Sequence, residues 1–238
     1  MSAAARNRFY PHIALTLALF TIFAFSRTYY LRFLSDLPPL VTLVHLHGLL
    51  FTSWLVVFVV QTRFIARDRV DLHMRLGLGA VFLAAAIVAV GLATAFHSAA
   101  IPRIRPSGLT PPQFSVVALG SILLFATFVS LGVALRRRAA LHKRFMVLAM
   151  IAVLGPPVGR LINLFSVQEY ASILQPAVAA VFVGWCLFHD WRRNHLVHPV
   201  YVIGGLVLVA AMPVKLVIAR SEWWQPIGEW VARVGAGV

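Results

Sequence analysis

The chain has 238 residues, of which 61% are hydrophobic and 12% are charged, and its mean hydropathy is +0.87. A soluble domain carries roughly 45–50% apolar and about 25% charged residues, so this composition excludes an ordinary soluble domain. The net charge of +14 would suggest a nucleic-acid partner in a soluble protein. Here the basic residues lie mostly at the ends of apolar runs, where they flank membrane spans. We therefore expect a lipid bilayer as partner and no nucleic acid.

The first apolar run follows Arg6 and Arg8, as it would in a signal peptide. No small-residue cleavage site comes after it, so we expect an uncleaved first span. A spanning helix needs about 20 mainly apolar residues. By this criterion the sequence predicts an all-α, polytopic transmembrane helix bundle of about seven spans, a single domain over residues 1–238. The predicted spans are residues 9–33, 39–62, 73–97, 113–135, 142–165, 171–189 and 199–219.

The second span contains two histidines, His45 and His47. Residues two apart on a helix point about 200° apart, so the two cannot face one partner. His47 shares a face with Trp54 and Gln61 at 100° per residue. Because ionisable groups in lipid are energetically expensive, His47 is a candidate cofactor-binding residue. The alternative is a histidine that only makes a hydrogen bond between helices.

Three later spans, the third, fifth and seventh, each open on a histidine: His73, His142 and His198. Since alternate spans begin on the same side of a membrane, these histidines share one depth. Histidine ligates metals and haem iron, so we expect at least two of the three to converge on one haem b or one metal ion such as zinc. A face of small residues in line with His73, from Gly77 onward, suits a flat macrocycle or a closely packed helix. The alternative is that these histidines lie among lipid headgroups.

Orientation follows from the basic residues. Of the 21 Lys and Arg residues, 13 fall on the side that holds the N-terminus, and the richer side is expected to be cytoplasmic. The N-terminus is then inside and the C-terminus outside, in what we expect to be a bacterial cytoplasmic (inner) membrane. Trp223, Trp224 and Trp230 follow the last span and predict an interfacial segment on the outer surface.

The outer half of the predicted bundle contains three further cations, Arg27, Arg160 and Lys215. Together with His47 they would line a pocket for an anion, such as a haem propionate, a quinone head group or a transported acid. The alternative is snorkelling to the interface. That alternative is strong for Arg27 and Lys215 and weaker for Arg160, which we therefore include among the cofactor-binding candidates.

The sequence contains few motifs that indicate any other kind of chemistry. The single cysteine, Cys186, excludes an internal disulfide, a CxxC redox motif and covalent c-type haem, and we interpret it as a small buried hydrophobe. There is no Walker loop, GxSxG or HExxH motif. The segment from Asp190 to Asn194 is expected to be a break between spans. With no acidic residue predicted in mid-span, a proton relay through buried carboxylates is not expected.

Several segments resemble a family of uncharacterised bacterial integral membrane proteins, in order and over nearly the whole chain. They are Phe25-Ser-Arg-Thr-Tyr-Tyr-Leu-Arg32, His45-Leu-His-Gly48, Leu72-His-Met-Arg-Leu-Gly77, Leu141-His-Lys-Arg-Phe-Met146 and His198-Pro199. This resemblance implies no particular activity. A weaker one, through His47-Gly48, Gln61 and His73 with Gly77, is to the cytochrome b561 superfamily. It implies b-type haem held by paired imidazoles, but His47 has no second histidine at its depth, so the chain departs from that pattern on the outer side.

The favoured function is non-covalent binding of haem b with an electron-transfer or redox-accessory role, with a quinone or a redox protein as partner. One alternative is a transporter or binding protein for a small organic anion. Another is a structural or assembly partner of a larger membrane complex.

Overall fold

The computed structural model of the protein describes residues 8–102 and 108–237. Arg6 and residues 103–107 lie outside the described residues. The described chain is helical and contains no strand. The protein is an all-α, multi-pass membrane protein, and the prediction of seven spans is confirmed. The segments long and apolar enough to cross a membrane are Phe9–Tyr30, Thr42–Ala66, Val70–Ala100, Pro111–Ala134, Ala139–Leu164, Gln168–Arg193 and Pro199–Arg220.

The described helices follow one another along the chain. They are α1 (Phe9–Phe25), α2 (Thr42–Ala66), α3 (Val70–Ala100), α4 (Pro111–Ala134), α5 (Ala139–Ala152), α6 (Gly155–Leu164), α7 (Ala171–Asn194), α8 (Pro199–Arg220) and α9 (Trp224–Gly235). The first span continues beyond α1 as a π-helical turn, Ser26–Tyr30, and a 3₁₀ turn, Arg32–Leu34. A second 3₁₀ turn, Gln168–Tyr170, leads into α7.

The chain divides into two compact units, Met1–Val90 and Gly91–Val238, with the boundary inside α3. The prediction that residues 1–238 form one domain stays a prediction. In the N-terminal unit α1 packs along α2. The apolar side chains Trp54, Leu55 and Phe58 are buried on α2. That helix ends at Ala66, and Asp68 then adopts a left-handed φ of 58°, which reverses the chain into α3.

In the C-terminal unit α4 packs against α5, α8 and α9, and α8 packs against α5 and α7. Thr110 and Gln113 form a reciprocal capping box that starts α4. Adjacent glycines let α8 approach both of its neighbours. A Cβ on Gly204 would overlap Leu148 of α5, and one on Gly205 would overlap Val183 of α7. One core cluster joins the start of α4 to the end of α8 through Leu109, Val116, Val117, Met212, Leu216 and Ala219.

The fifth span differs from the single continuous helix that its apolar run suggests. It breaks between Ala152 and Gly155, and α6 begins at Gly155-Pro156-Pro157. The cause is local, because Pro156 and Pro157 carry no N–H to donate to the carbonyls four residues earlier. Arg160 therefore belongs to a second, separate helical segment rather than to the helix that carries His142.

The last helix, α9, lies against the ends of α3 and α4 within the C-terminal unit. A Cβ on Gly228 would approach the Pro112 carbonyl oxygen to 2.6 Å, and Trp230 makes an edge-on contact with Phe96 at 5.8 Å between ring centroids. Trp223 and Trp230 are exposed, while Trp224 packs against the core cluster. The interfacial position predicted for these tryptophans stays a prediction.

Candidate functional site

The face of α2 that carries His47, Trp54 and Gln61 is largely buried. Trp54 is 2% exposed. His47 and Gln61 are half-buried, and the His47 Nδ1 and the Gln61 Oε1 are inaccessible to solvent with no hydrogen-bond partner among the described residues. The His47 ring contacts Phe51, at 4.9 Å between ring centroids. Buried polar atoms are nearly always hydrogen-bonded, so two unsatisfied ones on a single helix face call for an explanation.

The π-helical turn at the end of the first span fixes the start of this face. The Tyr29 hydroxyl donates to the His45 carbonyl at 3.1 Å, and the Tyr30 and Thr52 hydroxyls are 2.8 Å apart. A Cβ on Gly48 would overlap the Tyr29 ring, so only glycine allows this approach. Two motifs that the sequence offers as separate signals, Phe25–Arg32 and His45–Gly48, therefore form one structural contact.

His73 lies in the first turn of α3, in the N-terminal unit, with its ring half-buried and its Nδ1 inaccessible to solvent. One turn further along α3, the Gln61 Nε2 would lie 3.5 Å from a Cβ on Gly77. At this level Gly77, on the predicted small-residue face of α3, therefore lies close to Gln61 on the polar face of α2. This contact is ordinary helix packing, in which a glycine accommodates a long polar side chain.

His142, in the first turn of α5, bonds to the end of α4. Its Nδ1 lies 2.8 Å from the Gly132 carbonyl oxygen. Since a carbonyl only accepts, Nδ1 carries the proton and the lone pair of the neutral ring is on Nε2. Metal-bound histidines commonly show this arrangement, with the other nitrogen donating to a carbonyl. The same bond also satisfies one of the last carbonyls of α4, so it has a structural role whether or not a ligand binds.

His198 caps the start of α8. Its Nδ1 accepts the Val200 N–H at 3.2 Å, so the neutral ring carries its proton on Nε2. In this conformation neither nitrogen offers a lone pair to a metal, and the ligand role of His198 stays a prediction. Burial lowers the His198 pKa, and the nearby cations Arg144 and Lys143 lower it further, while Asp190 acts in the opposite direction.

The sequence gives little sign of a deeply buried polar contact in the C-terminal unit, between Arg144 of α5 and Asp190 of α7. The Nε and Nη2 of Arg144 each donate to one Asp190 carboxylate oxygen at 2.9 Å. The side chains are 6% and 2% exposed. The Asp190–Asn194 segment, expected to be a break, is the last part of α7. A buried carboxylate therefore lies inside the helix of the sixth span, Gln168–Arg193, close to the end of that span rather than at its middle.

Further contacts complete the surroundings of this ion pair. The Arg144 Nη1 donates to the Ala140 carbonyl at 2.7 Å, and the guanidinium lies over the Tyr201 ring of α8, 5.5 Å from its centroid. Cys186, on α7, is fully buried and lies beside Tyr201. This burial agrees with the interpretation of Cys186 as a small buried hydrophobe. Arg144 therefore connects α5, α7 and α8.

The cations predicted to line an outer pocket have different surroundings. Lys215 of α8 does not point to solvent: its Nζ donates to the Ser121 hydroxyl of α4 at 3.0 Å. Arg160 is half-buried on α6 with its Nε inaccessible to solvent. In the N-terminal unit, Arg27 lines a surface cleft beside Ser35 and Asp36. A common pocket for these residues and His47 stays a prediction.

Among the described residues, no three His, Cys, Asp or Glu side chains are placed to hold one metal ion. Comparisons of the chain with protein-family models, with curated proteins and with solved structures found no match. The case for a function therefore depends on the contacts described above.

Proposed function

We propose that this membrane protein binds haem b non-covalently along the His47 face of α2 and has an electron-transfer or redox-accessory role. The observation that supports this most directly is the buried Nδ1 of His47, which has no partner among the described residues of a spanning helix and its neighbours. An imidazole in that position loses its hydration without gaining a hydrogen bond, which is costly unless a ligand supplies the missing contact. The weak resemblance to the cytochrome b561 superfamily points in the same direction.

The residues on this face suit a flat, largely apolar group with a polar edge. His47 would offer an imidazole, and the buried indole of Trp54 lies about two turns away on the same face. Gln61 would hydrogen-bond a polar substituent through the oxygen that has no partner among the described residues. Bound haem would supply reversible one-electron redox chemistry at its iron. Within the C-terminal unit, taken by itself, His142 is the candidate ligand for a haem iron or another metal ion. Its Nδ1–H donates to a carbonyl, which leaves the lone pair of the ring on Nε2.

The visible spectrum of detergent-purified protein, expressed with ample haem, tests this proposal. We expect a Soret band that is lost or strongly reduced in His47→Ala and retained in the matched control His45→Ala. His45 is exposed and points away from the buried face. A folded wild-type protein without absorbance in the visible region would overturn the haem proposal, and equal losses in both variants would overturn the role of His47.

A second candidate function is binding or transport of a small organic anion, and the break in the fifth span favours it. Discontinuous spanning helices often form the substrate sites of transporters near the middle of the bilayer. Here the break at Val153 and Leu154 lies near the middle of the Ala139–Leu164 span, and Arg160 follows in the second segment. Counterflow of organic acids in proteoliposomes, abolished in Arg160→Leu, would support this function, and colourless active protein would separate it from the haem proposal.

A further inference from the structure

At one end of the N-terminal unit, the beginning of α1 and the end of α2 form a cleft lined mainly by basic side chains. Its volume is about 420 Å³, and its lining residues are Arg8, Pro11, His12, Arg63, Ala66 and Arg67. Arg8 and His12 are four residues apart on one side, and Arg63 and Arg67 are four residues apart on the other. Residues at this spacing share a helix face, so two pairs of basic side chains line one cleft.

No acidic side chain within the described parts of the chain forms an ion pair with these basic residues. The ion pairs found there are Arg69–Asp71, Arg144–Asp190 and the contact between His189 and Asp190, and none includes a residue of the cleft. Like charges at this spacing repel each other. The first turn of α1 also has no acidic residue and no side-chain cap among the described residues, and the N–H groups at a helix N-terminus favour an anion. Three arginines, a histidine and this helix end therefore provide a strongly anion-binding environment.

The surface next to the cleft indicates whether the bound anion is a free ion or the headgroup of a lipid. One heptad from Arg63 toward the middle of α2, on the same face, lies Val56, whose side chain is 56% exposed. One heptad from His12 along α1 lies Leu19, which is also 56% exposed. Both helices span the membrane. The cleft lies where the first span begins and the second span ends, which corresponds to headgroup level, and one exposed apolar side chain lies on each helix toward the middle of the span.

We propose that this cleft is a binding site for the phosphate of an anionic phospholipid, with the acyl chains lying along the Leu19 and Val56 surface. Basic pockets between the ends of spanning helices bind such headgroups, and the arginine fork fits phosphate oxygens in bidentate geometry. The site is separate from the buried face of α2 and does not require a cofactor.

Native mass spectrometry of the full-length protein tests the proposal, with phosphatidylglycerol and phosphatidylcholine supplied in equal amounts. We expect phosphatidylglycerol to be retained preferentially. In the double variant Arg63→Gln/Arg67→Gln, the affinity of the protein for phosphatidylglycerol should fall about 25-fold, because each arginine lost should lower it about fivefold. The matched control Arg136→Gln/Arg137→Gln removes the same charge from exposed arginines after α4 and should retain the lipid.

Two further measurements make the result decisive. Retention should weaken as salt rises, because exposed charges are screened. Competition with inorganic phosphate identifies the source of the anion: the lipid should remain bound in millimolar phosphate. If phosphate displaces it, the cleft is a site for free anions and the lipid proposal is wrong. Equal retention by the wild type and both double variants, or no preference for phosphatidylglycerol, would also overturn it.

Discussion

Arg144 and Asp190 are 46 residues apart in the chain and form a bidentate ion pair that is almost completely buried, with both hydrogen bonds at 2.9 Å. Removing one partner of such a pair leaves an uncompensated buried charge, which is strongly destabilising. Replacing both partners with apolar residues of similar volume is often neutral, because no charge then remains to be desolvated. The packing of α5 against α7 therefore depends on the two residues together rather than on either one alone.

We predict that Asp190→Leu destabilises the protein by about 3–5 kcal/mol and that Arg144→Met does the same. The double variant should be much less destabilised than the sum of the two. Thermal unfolding in detergent measures all three. The control is Asp71→Asn, which breaks the exposed Arg69–Asp71 pair and should leave the unfolding temperature almost unchanged. Additive losses in the double variant would contradict this account.

The contact between Gly48 and Tyr29 leads to a second prediction. An alanine at position 48 would overlap the Tyr29 ring, and overpacking of this kind costs about 1–3 kcal/mol. Gly79→Ala on α3 is the control, because a Cβ there meets no atom within 4 Å. We expect Gly48→Ala to unfold at a lower temperature than the wild type and Gly79→Ala to be neutral or slightly stabilised. Similar behaviour of the two variants would show that Tyr29 moves away without cost.

The cap formed by His198 leads us to predict that the stability of the folded protein depends on pH. Its pKa lies below the ordinary value of 6.5, chiefly because of burial and then because of Arg144 and Lys143. The neutral ring accepts the Val200 N–H, and the protonated ring cannot. A lowered pKa means that the stabilisation is present above pH 6.5 and is lost as the pH falls through the pKa of the folded protein. The unfolding temperature should drop on acidification below that pH.

His198→Asn is the variant that isolates this effect. Asparagine caps a helix through its side-chain oxygen without titrating in this range. The difference in unfolding temperature between wild type and His198→Asn should therefore change with pH below the ordinary histidine pKa of 6.5 and be constant above it. A constant difference over the whole range would mean that the cap does not titrate.

The sequence predicts the spans well because the signal is local: a run of about 20 apolar residues is sufficient to indicate each one. It predicts the contacts between spans poorly. Asp190 looks like part of a polar break because it begins the segment Asp190–Asn194, and only the partner on another helix explains its burial. The shared face of His47, Trp54 and Gln61 follows from helical spacing alone. In contrast, the position of Tyr29 on Gly48 depends on a π-helical turn that apolar periodicity does not reveal.

The two termini should lie on opposite sides of the membrane, because the number of spans is odd. The side richer in Lys and Arg, with 13 of the 21 residues, should be cytoplasmic. Reporter fusions at each end measure this directly: the N-terminal fusion should report the cytoplasm and the C-terminal fusion the outside. Two fusions on the same side would contradict the seven-span arrangement, and the reverse orientation would contradict the assignment of sides.

The contact between Lys215 and Ser121 makes it possible to test whether Lys215 stabilises the fold or serves the function of the protein. The Lys215 Nζ donates to the Ser121 hydroxyl at 3.0 Å, and the lysine stem lies over Gly120, where a Cβ would come within 2.7 Å of Cδ. Removing the acceptor in Ser121→Ala leaves the ammonium without this bond, so we expect a loss of about 1–3 kcal/mol. Unfolding temperatures in detergent measure it.

Lys215→Met is the matched variant, because it keeps most of the apolar stem and removes the charge together with its need for a partner. It should be neutral or stabilising. If the protein carries organic anions and Lys215 contributes to the site, this variant should also abolish counterflow while the protein stays folded. Counterflow and unfolding temperature, measured on the same preparation, therefore test the two roles separately. A strongly destabilised Lys215→Met would show instead that the ammonium holds α4 and α8 together.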